Sequence, residues 1–173
     1  MQKHLAFFIA LFIGYSSIAQ VNLDSLWGVW NDKSQVDTNR FIAINKIVLD
    51  YMYNQPDSAF YFSGLQYDFA KSIDNKNLIS KALNNLGSAS MRQHNLIIAL
   101  EYHNKSLIIA EEIGDKKLIA KTLGNIGNDY MELDQIEEAL LYHNKTLAIA
   151  KEINDKRTSC IVLRYIGHIY IVK

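Results

Sequence analysis

Apolar residues recur along this chain at spacings of three and four, which is the period of one face of an α-helix. One such face is followed, after a second helical segment, by an equivalent face 40 residues further on. The three segments are marked by Ile79, Leu83, Leu86 and Ser90, then by Leu100, His103, Leu107 and Ala110, then by Ile119, Leu123, Ile126 and Tyr130. Strand-like alternation is not seen here, so the pattern predicts an all-α protein.

The helical pattern is an internal repeat. Residues 73–112 align without a gap with residues 113–152, and 19 of the 40 positions are identical. The same register continues into residues 153–173, where only the first helix of a further repeat is present. It also extends back, less regularly, over residues 34–72, whose helices we expect at about 38–53 and 57–72. Each repeat therefore predicts a pair of helices that stacks on its neighbours.

The degenerate first repeat retains mainly aromatic and aliphatic spacing. In its first helix the expected core residues are Phe41, Ile44, Ile47 and Tyr51, and in its second helix they are Phe62, Tyr67 and Phe69. Residues 20–33 precede it, and Leu23, Leu26, Trp27 and Trp30 predict a short capping helix over the exposed end.

Short polar residues mark the ends of the helices. Asn75, Asp115 and Asp155 precede the first helix of each repeat, where a side-chain oxygen can accept an orphan backbone N–H. His94-Asn95 and Asp134-Gln135 fall between the two helices of a repeat, and such residues tolerate the left-handed conformation of a tight turn.

Small residues predict where the two helices of a repeat approach closely. Gly87 and Gly127 lie on the first helices, and Ala99 and Ala139 lie on the second helices. Small side chains permit interaxial distances at the short end of about 8–10 Å.

These motifs resemble the long form of the tetratricopeptide repeat. The matching residues are Leu83-x-x-Leu86-Gly87 and Ala99-Leu100-x-Tyr102 in one repeat, and Leu123-x-x-Ile126-Gly127-x-x-Tyr130 and Ala139-Leu140-x-Tyr142 in the next. The resemblance covers about residues 38–173 and implies an α-solenoid of stacked antiparallel helix pairs. It departs from the family pattern at His103 and His143, where a large aromatic residue is usual.

The N-terminus predicts export. Lys3 precedes an unbroken apolar run over residues 5–13, and Ser17 and Ala19 occupy the small-residue positions of a signal-peptidase site. We expect residues 1–19 to be a signal peptide cleaved before Gln20, with a periplasmic or extracellular mature protein. The alternative is an uncleaved anchor, although the apolar run is shorter than the roughly 20 residues of a membrane span.

The C-terminus predicts an uncovered helix. Lys173 falls within the first helix of a repeat, and the absence of a second helix leads us to expect that Ile169 and Tyr170 are exposed. We therefore expect the chain to be the N-terminal part of something longer, or to self-associate through this end.

Charge and chemistry exclude several classes of function. With 18 basic and 18 acidic side chains, nothing favours nucleic acid or an anionic membrane as a partner. No nucleotide, metal or catalytic-triad motif is present, so we expect no cofactor and no catalytic residue. His103 and His143 are interpreted as structural, because helix packing would hold them about 9–10 Å apart. Cys160, the only cysteine, is expected to be a small buried apolar residue.

A polar stripe on the first helices is the candidate binding surface. Its residues are Lys81, Asn84, Asn85, Ser88 and Arg92 in one repeat, Lys121, Asn125, Asn128 and Glu132 in the next, and Arg164, Tyr165 and His168 in the third. Asparagine both donates and accepts hydrogen bonds, so this stripe suits an extended peptide backbone, while lysine attracts carboxylates. In the family such stripes line a concave groove, and we expect these positions to be solvated.

Two functional hypotheses follow. The first is an exported scaffold that binds a protein or peptide. The second rests on residues 26–47 and 55–70, which resemble the start of repeat-containing adenylate/guanylate cyclases and sensor histidine kinases of Bacteroidetes-type bacteria. That resemblance implies a periplasmic sensory region, with a membrane helix and a catalytic domain encoded downstream.

Overall fold

The protein is seen in a computed structural model that describes residues 23–172, and throughout this range the regular structure is helical. The expected signal peptide, residues 1–19, lies outside the described residues. The chain divides into two compact units between Ile47 and Val48. The fold class predicted from the helical repeat, an all-α solenoid, is confirmed.

The first unit contains helix α1, residues 23–31, and most of helix α2, Asp37–Tyr51. Helix α1 appears where the spacing of leucine and tryptophan predicts it. Phe41, Ile44 and Ile47 are buried, as expected from their spacing. The Arg40 guanidinium donates to the Trp30 carbonyl oxygen over 3.0 Å and lies over the Trp30 ring, which holds the end of α1 against α2.

The second unit contains the end of α2 and six further helices of 17 residues each. They are α3 Pro56–Ser72, α4 Lys76–Arg92, α5 Leu96–Glu112, α6 Lys116–Glu132, α7 Ile136–Glu152 and α8 Lys156–Val172. From α3 to α8 each helix packs against the next along the chain, and the first helices α4, α6 and α8 also touch one another in sequence. This arrangement builds a row of first helices backed by a row of second helices.

The helix ends follow the predicted capping pattern. Asn75 and Asp115 accept from the backbone N–H groups of Leu78 and Leu118, and Asp155 accepts from that of Thr158. The five turns from α3 to α8 each contain one residue with a positive φ. These residues are Asp74, His94, Gly114, Asp134 and Asn154, with φ between 49° and 68°. The predictions for the N-caps and for His94 and Asp134 are confirmed.

In α3 the predicted core is confirmed only in part, because Phe62 packs against the buried cluster of Val48, Met52, Ala59 and Ala89. Phe62, Tyr67 and Phe69 are only half-buried. The buried stripe consists of small and polar side chains instead, namely Ala59, Ser63, Gln66 and Ala70. Narrow side chains at the contact allow a close approach of α3 to α4, while the aromatic rings flank it. Phe62 packs beside Tyr51, with a centroid distance of 5.3 Å.

Two expectations at the C-terminal helix are also corrected. Cys160 is exposed on α8 and not buried. Ile169 is only 3% exposed, whereas Tyr170 is 68% exposed as expected. Consecutive residues of an α-helix are rotated by about 100° about its axis, so one of these two side chains faces the packed side while the other faces out. No helix among residues 23–172 is long and apolar enough to span a membrane.

Candidate peptide-binding groove

The row of first helices forms one wall of a groove of about 350 Å³ in the second unit. The end of α2 and helices α4, α6 and α8 supply most of its lining, and α7 supplies its floor. The lining residues are Leu49, Met52, Tyr53, Asn85, Ser88, Met91, Arg92, Ala120, Lys121, Gly124, Asn125, Asn128, His143, Thr146, Thr158, Ile161, Val162 and Tyr165. The groove is therefore a mixed surface, with apolar, amide, hydroxyl and cationic groups within reach of one ligand.

The structure brings six of the nine stripe residues named for the first two repeats into this lining. These are Asn85, Ser88, Arg92, Lys121, Asn125 and Asn128. Of the other three, Lys81 is half-buried, Glu132 is exposed and Asn84 is fully buried. In the third repeat Tyr165 lines the groove, whereas Arg164 and His168 do not.

The expectation that this stripe is solvated is wrong for two of its asparagines. Asn84 is 0% exposed and Asn85 is 3% exposed. The Asn84 amide donates to the Thr122 hydroxyl over 2.6 Å, and the Asn85 amide donates to the Gln66 carbonyl oxygen over 2.7 Å. Neighbouring helices supply these partners, so both side chains hold helices together.

A chain of polar contacts connects the interior to the groove between α4 and α6. Ser106 of α5 lies 3.4 Å from the Thr122 hydroxyl, which accepts from Asn84. The Asn84 carbonyl oxygen in turn accepts from the Asn125 amide over 2.6 Å. Asn125 is half-buried at the groove surface, and its hydrogen bond to Asn84 fixes the orientation of its amide. Hydrogen-bonded groups of this kind present a preorganised surface to a ligand.

The charges that line the groove are positive. Arg92 lies over the Tyr53 ring, with 4.4 Å between the guanidinium carbon and the ring centroid. Although Lys121 as a residue is exposed, the surrounding protein partly desolvates its ammonium and lowers its pKa, and the positive charge of Lys81 lowers it further. No aspartate or glutamate is among the described residues that line the groove. A ligand with carboxylates would relieve this like-charge repulsion.

The two repeated histidines are both buried, but their surroundings differ. The His103 ring lies against Gly87, where an added Cβ would come within 2.5 Å of the imidazole. Its Nδ1 is 2.5 Å from the Asp129 carboxylate, and both side chains are 0% exposed. Burial raises the pKa of Asp129, and the hydrogen bond from His103 opposes that shift. The sequence motifs pointed to the histidine but not to this carboxylate, which stands where the flanking repeats have Ala89 and Ile169.

His143 has no carboxylate partner at the equivalent place. An added Cβ at Gly127 would come within 2.7 Å of its ring, and Tyr165 stacks on it with a centroid distance of 5.2 Å. Neither ring nitrogen has a hydrogen-bond partner among the described residues. Burial without a partner lowers the pKa of His143 to about 4. The ring is therefore neutral at pH 7 and fills space between α6 and α8.

This pKa predicts an acid-sensitive fold. The unfolded chain binds a proton at His143 below about pH 6.5, whereas the folded chain does so only near pH 4, so stability falls as the pH decreases through this window. Between pH 7 and pH 5 the loss is about 2 kcal/mol. Urea unfolding of wild type and His143→Leu at both pH values measures it, because the titration of Asp129 is common to both proteins. An equal pH dependence in both would contradict the assignment.

Two groove residues that the sequence motifs did not single out, Ile161 and Gly124, occupy positions equivalent to stripe residues of other repeats. Ile161 stands where the other repeats have Lys81 and Lys121, and Gly124 stands where the preceding repeat has Asn84. Comparing registers between repeats would have located them. Among residues 23–172 no group of three or more His, Cys, Asp or Glu side chains is placed to hold a metal ion.

Stacked antiparallel helix pairs with a 40-residue register define this molecule as an α-solenoid repeat protein. Residues 78–152 match the sequence model of the tetratricopeptide repeat. Residues 78–152 therefore form tetratricopeptide repeats, and this fold suggests a protein-interaction scaffold. Repeat domains of this family are typically non-catalytic.

Solved structures with the same fold include the tetratricopeptide repeat domain of Arabidopsis FLU. It has a TM-score of 0.60 and 24% identity, over 68% of this chain and 99% of that domain. BtubC from P. vanneervenii has a TM-score of 0.63 and 13% identity, over 92% of this chain and 74% of its own. At these identities the similarity shows the fold alone. A comparison with curated proteins found no match.

Proposed function

We propose that this protein is an exported scaffold whose groove binds an acidic linear segment of a partner protein. The observation that carries the proposal is the groove lining, in which Arg92 and Lys121 stand beside amide side chains and the described residues include no aspartate or glutamate. Asn125 and Asn128 offer donors and acceptors to a peptide backbone, and the apolar lining offers contact to its side chains.

Removing the two groove cations tests this proposal. A displayed library of random linear peptides, selected on the wild-type protein, should yield acidic sequences. Arg92→Ala with Lys121→Ala should then weaken binding of a selected peptide about five- to ten-fold at low salt, since two exposed charge contacts contribute about 1–1.4 kcal/mol together. Fluorescence anisotropy measures the affinity, and raising the ionic strength should shrink the difference.

The matched control removes two cations from the second helices. Lys105 and Lys145 are exposed, and each lies over a tyrosine of its own helix, as Arg92 lies over Tyr53. Lys105→Ala with Lys145→Ala changes the net charge equally and should leave the affinity within about two-fold. An equal loss of affinity in both double variants, or selected peptides without an excess of acidic residues, would contradict the proposal that the groove binds an acidic peptide.

The proposed location rests on the N-terminal sequence. Lys3, the apolar run of residues 5–13 and the Ser17-x-Ala19 exit form the pattern of a cleaved signal peptide. Protein recovered from an exporting cell should begin at Gln20. Retention of Met1 on membrane-bound protein would instead support an uncleaved anchor.

A second candidate is that the chain is the periplasmic sensory part of an adenylate/guanylate cyclase or histidine kinase. It is favoured by the resemblance of residues 26–47 and 55–70 to the start of such proteins. In that case the groove would report ligand binding to a catalytic domain across the membrane. Reading the coding DNA beyond Lys173 decides this candidate: an open frame with a membrane helix and a catalytic domain supports it, and a stop codon excludes it.

Self-association through α8 is the alternative if the chain does not continue. Tyr170 and Ile171 are both exposed on this helix and would supply the contact.

A further inference from the structure

Two junctions between first helices differ at one position. At the α4–α6 junction the side chain of Asn84 fills the space between the helices and bonds to Thr122. At the α6–α8 junction the equivalent residues, 40 positions later, are Gly124 and Val162. The polar contacts of the first junction therefore have no counterpart at the second. Gly124 contributes no side chain where Asn84 contributes a carboxamide.

The missing side chain opens part of the groove down to α7. Thr146 of α7 is the nearest group to a Cβ built on Gly124, with its methyl carbon 3.6 Å away, so a small side chain fits there without a clash. Thr146 is buried under this position and still lines the groove, which shows that the groove reaches the second layer of helices here. Its depth at this point suits the insertion of one side chain of a ligand.

The lining of this deep part is largely apolar. Ala120 and Gly124 come from α6, and Ile161 and Val162 come from α8. Ile161 is 40% exposed, although lysine occupies the same register in both preceding repeats. An apolar residue therefore occupies the position of a cation at the junction where Thr146 of the second layer lines the groove. The cations Lys121 and Arg92 remain on the neighbouring helices α6 and α4.

Polar groups without partners border the same region. The Asn128 side-chain carbonyl oxygen is buried and has no hydrogen-bond partner among the described residues, and the same holds for both ring nitrogens of His143. Both residues line the groove. Buried polar groups usually have a hydrogen-bond partner; the Asn128 oxygen is an acceptor, which a backbone N–H group of an extended peptide can satisfy. Asn128 is half-buried, and its amide can hold a peptide backbone while a side chain of the peptide enters between α6 and α8.

We infer that the space at Gly124 between α6 and α8 is a specificity pocket that takes one branched aliphatic side chain of an acidic peptide. This inference rests on the proposed function and identifies the sequence class of the partner. The pocket selects the aliphatic residue by contact with Ile161, Val162 and the methyl group of Thr146. Lys121 and Arg92 select the acidic residues that flank it, because their charges are complementary.

Peptide selection on matched variants tests the pocket. A displayed library of random linear peptides is selected on wild type, on Gly124→Leu, which fills the pocket, and on Ile161→Lys, which restores the lysine of the other repeats. Wild type should enrich acidic peptides with leucine, isoleucine or valine at one position. Both variants should lose that aliphatic preference and retain the acidic one. In anisotropy measurements on the enriched peptide, each variant should weaken binding about ten-fold, and replacing the aliphatic residue by alanine should abolish the difference between wild type and Gly124→Leu.

The outcomes separate the pocket from the groove. Acidic enrichment on wild type without an aliphatic position overturns the pocket and leaves the proposed function standing. Unchanged aliphatic preference in the variants also overturns the pocket. No enrichment on any of the three proteins overturns both. If Gly124→Leu does not fold by circular dichroism, Ile161→Lys decides alone, because that position is exposed and its repeat register already accommodates lysine.

Discussion

Replacing Asp129 by alanine is expected to lower the free energy of unfolding by about 3 kcal/mol. The carboxylate is fully buried and lies 2.5 Å from His103 Nδ1. Its removal leaves the imidazole nitrogen buried without a partner, since the ring is confined against Gly87 and cannot turn towards water. Alanine itself suits the helix, because Ala89 occupies this position one repeat earlier. Chemical denaturation of both proteins measures the loss.

A second substitution shows whether the loss comes from the histidine. One repeat earlier, Ser63 and Ala89 stand at the positions of His103 and Asp129, and both are buried. Adding His103→Ser to Asp129→Ala recreates that pair and removes the orphaned imidazole. The double variant should therefore cost less than the sum of the two single variants, by at least about 1 kcal/mol. Simple additivity of the two losses would show that the buried pair does not act as a unit.

Replacing Gly127 by leucine is expected to destabilise the fold by about 3 kcal/mol or more. A Cβ at this position would lie 2.7 Å from the His143 ring, which Tyr165 holds from the other face. The ring cannot withdraw, so α6 and α7 must separate. Thermal unfolding should show a decrease in Tm of several degrees at the least.

Gly167 supplies the matched control for this substitution. It stands at the same repeat position on α8, and nothing lies within 4 Å of a Cβ built there. Gly167→Leu should be neutral or slightly stabilising, because leucine favours helix more than glycine does. Gly114 is unsuitable as a control, since its φ of 68° strains any other residue. Equal effects at Gly127 and Gly167 would contradict a close approach at Gly127.

The features that recur in every repeat could be predicted from the sequence. The 40-residue register located the helices, and the caps at Asn75 and Asp115 followed from the local chemistry of a helix start. Local rules of this kind depend on the residue and its immediate neighbours. The positive φ at His94 and Asp134 was predictable for the same reason.

The features that depend on a partner in another helix could not be predicted in the same way. The sequence predicts that Asn85 is a polar surface residue, yet it is buried in contact with Gln66 of the preceding repeat. The sequence predicts that Cys160 is a small core residue, yet it is exposed on α8. Asp129 is buried in contact with His103, which lies 26 residues earlier in the chain. In each case the outcome depends on which residue the stacking of repeats brings into contact.

In the candidate site, too, the features set by local sequence could be predicted, and those that depend on contacts between repeats could not. The stripe on the first helices predicted a groove surface, and Arg92, Lys121 and Asn128 lie in its lining. The deep part at Gly124 depends on a difference between two repeats that are otherwise similar. A repeat protein can change its specificity in this way, because one altered position at one junction leaves the stacking of the others intact.

We propose that the groove formed by α4, α6 and α8 binds an acidic peptide. The most direct test of this binding is to titrate a peptide selected on the wild-type protein into isotopically labelled protein and to map the NMR shift changes. The largest changes are expected at groove residues such as Lys121, Asn125, Asn128 and Ile161, and the exposed residues of α5 and α7, such as Ile97 and Leu141, should change little. Changes concentrated on α5 and α7, with the groove residues unaffected, would contradict the claim.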